Sequence, residues 1–407
     1  MSAPADRPVP DRVLIRAVWP MLAAAALGLV PFTVMANFLV AIAADAHAGV
    51  DLIGSLRGLG GVAALLVGVA AAPLLDRLSR SSVAALALLV LAAGCGLSLQ
   101  GSTAAWIAFC LLIGAGTAVL NPALSAMAAD RFDSPAASAR AATLVSSTMT
   151  LTAVLAAPVL ALPAVLWGWR ADMAAAAVVL LVVAAFVARH PDPSGGHTKV
   201  SYLQAFRTVR SIPGALDTLA ISLLRTLAFM GSLAYIAAAF GARFGIGTGW
   251  FSLVWATSGL AFFLGNFLGG RVMQDRGADR LFGTVVSAIL VASLSMVVLY
   301  TAPHVAISWV MVALVSASHA VIAAAVTTTL VRGAGQVRGT VLSLNGAAQS
   351  VGVFAGATLG GAALAVGGWT GVGVVLGGAT LLAGVFAWRA RRADTAERVA
   401  NSTGPTA

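Results

Sequence analysis

The stretch Asp76-Arg77-Leu78-Ser79-Arg80 closes a long apolar run, and Asp275-Arg276-Gly277-Ala278-Asp279-Arg280 closes another 199 positions later. The same charged punctuation at the same point of two similar halves marks an internal repeat. Two further landmarks recur at nearly that offset. Arg140-Ala-Ala-Thr-Leu-Val-Ser-Ser matches Arg338-Gly-Thr-Val-Leu-Ser-Leu-Asn, 198 positions on, and Gly168-Trp169 returns as Gly368-Trp369, 200 positions on. The polar stretch from His190 to Pro213, with Pro191, Pro193, Gly195 and Gly196, has the composition of a linker between the halves. The chain therefore divides into residues 1–189, a linker over 190–214, and residues 215–407.

Composition fixes the class. Of 407 residues, 60% are hydrophobic and 9% charged, with a mean hydropathy of +0.96. A soluble domain carries about 25% charged residues, so this is a polytopic membrane protein. Twelve apolar stretches are predicted near 18–43, 52–75, 82–100, 104–128, 142–166, 171–189, 215–240, 250–270, 282–302, 307–330, 341–366 and 371–388. Nearly all are long enough to cross a bilayer core of about 30 Å as helices. The fold class expected is an all-α membrane protein of twelve transmembrane spans in two pseudo-symmetric six-helix bundles. Because six is even, the halves share one orientation, related by an axis along the membrane normal.

The formal charge of +10 invites a nucleic-acid reading, which its distribution opposes. Of the 24 basic residues, all but Arg57, Arg170, Arg225 and Arg243 fall in the tails or in every second loop. By the positive-inside rule, both termini are cytoplasmic. The basic charge encodes topology, and no nucleic-acid partner is expected. The first apolar run is too long for a signal-peptide core and lacks a cleavage pattern, so no cleaved leader is expected. Cys95 and Cys110 fall inside spans three and four and read as packing residues. No phosphate-binding loop can be built around the single Lys199, and neither His-Glu-x-x-His nor Gly-x-Ser-x-Gly occurs. An enzyme, a metal site and a cofactor are not expected.

These residues carry a specific resemblance, covering nearly the whole chain between the tails. The chain resembles the major facilitator superfamily, and within it the bacterial drug–proton antiporter and sugar-efflux branch. The family signature between spans two and three, Gly-x-Leu-x-Asp-Arg-x-Gly-Arg-Arg, stands here as Ala72-Pro73-Leu74-Leu75-Asp76-Arg77-Leu78-Ser79-Arg80-Ser81. It keeps the charges and loses both glycines. Gly168-Trp169-Arg170 and the run from Arg338 to Asn345 also look typical of that branch. The resemblance implies a secondary transporter of the bacterial inner membrane that works by alternating access as a monomer, exchanging a small organic compound for protons. It also implies that Asp76, Arg80 and Asp130, with Arg77 and the repeat counterparts Asp275 and Arg276, form a conformational latch. Asp76 would face the N-terminus of span eleven near Gly339 and Thr340, where the helix dipole favours a carboxylate by about 0.3–1 kcal/mol. The alternative for these charges is ordinary topology-setting.

By the same resemblance, spans one, four, seven and ten line a cavity. The repeat aligns polar residues near their midpoints: Asn37 with Tyr235, and Asn121 with His319, each pair 198 apart. A polar group in hydrocarbon is costly unless partnered, so each should face the interior. Phe32, Phe38 and Phe229 could add an apolar wall or simply pack. Arg225 lies about ten residues into span seven, about 15 Å deep, where insertion costs about 2.5–3.5 kcal/mol. It meets either an anionic substrate or an internal partner. His319, a group that ordinarily titrates near neutral pH, is either the proton carrier or a neutral shaping residue. Arg57 reads as a gate or as a partner of Asp45 or Asp51. The small-residue runs Gly352/Gly356/Gly360, Gly265/Gly269 and Gly54/Gly58/Gly61/Gly68 fit equally a sliding interface between halves or static packing.

Some family features are replaced. Span one has Phe32, Thr33 and Asn37 where exporters commonly carry an acid, and Cys110 takes the place of an arginine of span four. The antiporter pattern Gly-Pro-x-x-Gly-Gly of span five stands as Ala157-Pro158-Val159-Leu160-Ala161-Leu162. An importer or uniporter on the same scaffold is therefore the first rival, and a non-transporting sensor or lipid-moving protein the second.

Overall fold

A computed structural model describes residues 10–75, 79–132, 134–189, 207, 209–274, 278–333 and 338–402. Asp76, Arg77, Asp275 and Arg276 lie outside the described residues, as does most of the expected linker. Every described element is a helix: α1 (Asp11–Asn37), α2 (Leu39–Asp45), α3 (Val50–Leu75), α4 (Arg80–Ser98), α5 (Thr103–Ala129), α6 (Pro135–Ala188), α7 (Ala215–Phe244), α8 (Thr248–Gln274), α9 (Ala278–Thr301), α10 (Val305–Gly333) and α11 (Arg338–Ser402). Among the described residues, ten helices are long and apolar enough to cross a membrane.

Local chemistry sets several ends. Ser79 caps α4 by accepting from the Ser82 backbone N–H at 3.2 Å, and Ser102 caps α5 through Ala105 at 3.2 Å. Two helices far exceed the rest, and each holds one non-helical residue. In α6 this is Gly168, with φ 75°, and in α11 it is Gly368, with φ 59°. Only glycine enters that region without strain, so these positions turn the chain within a continuous run. They are the two glycines that recur in the sequence 200 positions apart. The following tryptophans each pack beside their own kink. Trp169 lies 5.4 Å from the buried Trp106, and Trp369 stacks on Tyr300 at 6.2 Å.

The chain forms two compact units: Met1–His47 with Ala63–Lys199, and Ala48–Val62 with Val200–Ala407. In the first, α1 packs on α6, and α4 packs on α5 and α6. In the second, α11 packs along α7, α8 on α10, and α9 on both α10 and α11. In lipid, such packing relies on close backbone approach. A Cβ on Gly356 would stand 2.1 Å from the Leu227 carbonyl oxygen, and one on Gly265 would stand 2.4 Å from that of Ala317. These runs are therefore packing seams inside the second unit, α11 on α7 and α8 on α10. The short stretch Ala48–Val62 joins the same unit, with Gly58 and Gly61 against Phe354. Large apolar side chains such as Leu66, Leu294 and Leu382 point outward, as a lipid-facing surface requires.

Candidate functional site

In the first unit, Asn37 is the last residue of α1, at a break where Phe38 leaves helical geometry before α2 begins. It is buried, and its Oδ1 has no hydrogen-bond partner. Asn121 is half-buried within α5, one residue before Pro122. Phe32 meets Phe109 edge-on at 6.1 Å, a packing contact. Both cysteines are buried without a disulfide, the Cys110 Sγ lying 3.8 Å from the Met35 Sδ. Among the described residues, no cluster of His, Cys, Asp or Glu could hold a metal ion.

Charged groups gather at the two ends of that unit. Arg80, at the start of α4, pairs with Asp130, at the end of α5. Two members of the expected latch are thus in contact, while Asp76 is outside the described residues. Asp45, expected as a partner for Arg57, instead accepts from the Trp169 Nε1 at 2.9 Å and from Arg170 at 2.5 Å.

The second unit holds the most unusual chemistry. Arg225 sits about a third of the way along α7 with 5% exposure. Its Nη2 donates to the Oγ1 of its neighbour Thr226 at 2.9 Å, while Nε and Nη1 have no hydrogen-bond partner. Ser222, Arg225, Thr226 and Phe229 share one face of α7, being three, four and seven positions apart. Phe229 stacks on Phe262 of α8 at 5.1 Å, and the His319 ring of α10 lies 5.4 Å away on Phe229. His319 is fully buried, with neither ring nitrogen hydrogen-bonded, and the Ser222 hydroxyl is likewise unpartnered.

Nearby polar groups behave otherwise. Ser258 bonds Ser316 at 2.8 Å, and Ser232 bonds Tyr300 at 3.1 Å. Arg243 caps the end of α9 through the carbonyls of Leu299 and Ala302. Each unsatisfied buried polar group costs about 1–3 kcal/mol, so the orphaned donors around Arg225 form a local concentration of unmet hydrogen-bonding capacity. Its chemistry suits an acceptor-rich, negatively charged group of bidentate shape.

Tyr235 has a different environment. It is fully buried, and its hydroxyl donates to the Ala357 carbonyl at 2.8 Å, tying α7 to α11. Its ring fills a cradle of glycines, with Gly360 and Gly361 placed where a Cβ would come within 2.8 and 2.7 Å of it. Three buried polar residues were missed by the repeat alignment. Asp172 in α6 and Asn345 in α11 each leave one side-chain oxygen without a hydrogen bond, and Ser222 precedes Arg225 by one turn. The signal for Asp172 was available, since it is a carboxylate four residues after Gly168 inside an apolar run.

No curated protein sequence matches the chain significantly. Among solved structures, a bacterial homologue of the human lysosomal transporter Spinster superposes with a TM-score of 0.77 at 15% identity, covering 96% of this chain and 98% of that one. The nucleoside transporter NupG superposes at 0.73 with 13% identity, over 93% and 99% of the two chains. An auto-inhibited peptide transporter of the POT family superposes at 0.71 with 14% identity, over 93% and 97%. At these identities the likeness is one of fold. The model of the Major Facilitator Superfamily matches residues 21–357, and the chain belongs to that superfamily.

Proposed function

We propose that this protein is a secondary transporter of the bacterial inner membrane that exports a small organic anion in exchange for protons. Counting the legs on either side of Gly168 and Gly368 supports twelve spans, and the alternating basic loops support cytoplasmic termini. The observation that carries the substrate class is Arg225, buried with two unpartnered nitrogens beside Phe229 and His319. A buried cation without a counter-charge is retained where a ligand supplies one. The anion would lie against α7 and α10, with Arg225 as its charge partner and Ser222 as a further donor. Tyr235 would hold helices together in place of touching substrate.

Proton coupling falls to His319 in this reading. In everted membrane vesicles with an acidic lumen, an anion from a cell extract should accumulate only when the protein is present and the gradient intact. His319→Ala should only equilibrate it across the membrane, at a rate the gradient does not change. Accumulation by the wild type that survives a proton ionophore would favour the uniporter reading, and none at all would remove transport.

The latch would act through Asp76, Arg77, Arg80 and Asp130, with Asp275 and Arg276 as the repeat equivalents. Arg80 and Asp130 are partly exposed, so the pair contributes about 0.2–1 kcal/mol to stability. Asp130→Asn should therefore leave thermal unfolding nearly unchanged while slowing transport, and Arg80→Asp with Asp130→Arg together should restore it. Equal transport by all three proteins would reduce the pair to surface charge.

A further inference from the structure

A cavity of about 410 Å³ lies wholly within the second unit, between the early part of α7, α9, the end of α10 and α11. Its size is typical of a small-ligand site. The floor is apolar, built by Ile221, Val285, Val326, Leu330 and Val341, all part of one buried cluster. The mouth carries Arg332 from the last turn of α10, and Arg391 and Asp394 from α11. Arg391 is set in place over the Phe282 ring, 4.5 Å from its centroid. Arg389, close by, is paired with Asp217 at 3.1 Å and does not line the cavity. Among the described residues, the rim carries Arg332, Arg391 and Asp394 above a hydrocarbon floor.

We propose that this cavity binds one anionic phospholipid, its phosphate between Arg332 and Arg391 and the start of an acyl chain on the floor. The charge pattern selects the occupant. An apolar floor rejects a wholly hydrophilic anion, and two guanidinium groups at the rim suit a phosphate whose head adds no cation of its own. The cavity also opens at the end of the unit where the basic residues Arg332, Arg389, Arg391 and Arg392 gather. That is the end the positive-inside rule assigns to the cytoplasm, whose leaflet holds the anionic lipids. The site is separate from Arg225 and does not depend on what the protein transports.

The test is native mass spectrometry of the full chain purified in detergent, titrated with phosphatidylglycerol, phosphatidylcholine or inorganic phosphate. One phosphatidylglycerol should be retained in preference to phosphatidylcholine. At about fivefold per guanidinium near a lipid head, Arg332→Gln and Arg391→Gln should each weaken retention about fivefold. Asp394→Asn should strengthen it by a similar factor. Arg391→Gln also loses its contact with the Phe282 ring, so the two variants are read together. Ala325→Phe, which fills the floor and leaves both arginines, should evict the lipid. Equal retention of the two lipids, or insensitivity to the Arg332 and Ala325 changes, would overturn the proposal. Competition by inorganic phosphate that persists in Ala325→Phe would overturn it in favour of a small-anion site. None of these results bears on export through Arg225.

Discussion

Arg225→Met is expected to raise the unfolding temperature and abolish export of the anion in the same variant. The two effects have one cause. In the unliganded protein, Arg225 is desolvated, its charge is uncompensated among the described contacts, and two of its donor nitrogens are unmet. Replacing buried charge by an apolar side chain of similar volume is commonly neutral or stabilising by about 1–4 kcal/mol. With an anion bound, the same guanidinium becomes half of a buried charge pair, and truncating one partner of such a pair costs about 2–5 kcal/mol. At about 1.4 kcal/mol per factor of ten, binding should weaken about 30-fold or more. Arg225→Lys, which keeps the charge but not the planar fork, should fall between. Scanning fluorimetry of the purified variants, with an export assay beside it, reads both quantities. A destabilised Arg225→Met with normal export would make the residue an internal structural partner.

The second large effect lies in packing. Gly356→Leu should fail to accumulate as folded protein, because even a Cβ there would stand 2.1 Å from the Leu227 carbonyl oxygen and 3.0 Å from the Gly231 nitrogen. Both contacts are backbone of α7, which cannot turn aside as a side chain can. Gly356→Ala should remain foldable at a cost of about 1–3 kcal/mol. Gly378, further along α11, faces open space, and Gly378→Ala should be neutral or slightly stabilising, by up to about 1 kcal/mol. Thermal unfolding of the two alanine variants gives opposite signs if α11 and α7 are seated as described. Equal shifts would mean that the seam is not tightly packed.

Hydropathy alone placed most helices closely. The span predicted at 104–128 is α5, Thr103–Ala129, and that at 215–240 is α7, Ala215–Phe244. The repeat in Gly168 and Gly368 was also legible, since a glycine followed by tryptophan between two apolar runs is a strong local signal. It marked the places where the backbone turns. What the sequence did not disclose is which polar residues have partners. Tyr235 and Asn37 occupy equivalent repeat positions, yet one donates to a backbone carbonyl and the other has an unpartnered oxygen. That difference arises from close helix approach at Gly360 and Gly361, which depends on tertiary packing. Likewise, a glycine stripe does not say which helix it faces, and only the nearby Leu227 and Ala317 carbonyls place these stripes against α7 and α10. Asp45 shows the limit for charges: Arg170, 125 positions away in sequence, holds it, and no local pattern connects the two.

The most direct test of export through Arg225 compares the culture medium of cells expressing the wild type with that of cells expressing Arg225→Ala, by untargeted metabolite profiling at matched protein levels. At least one anionic compound should be enriched outside only with the wild type. Enrichment of a neutral or cationic compound, depletion from the medium, or identical profiles for the two proteins would contradict it.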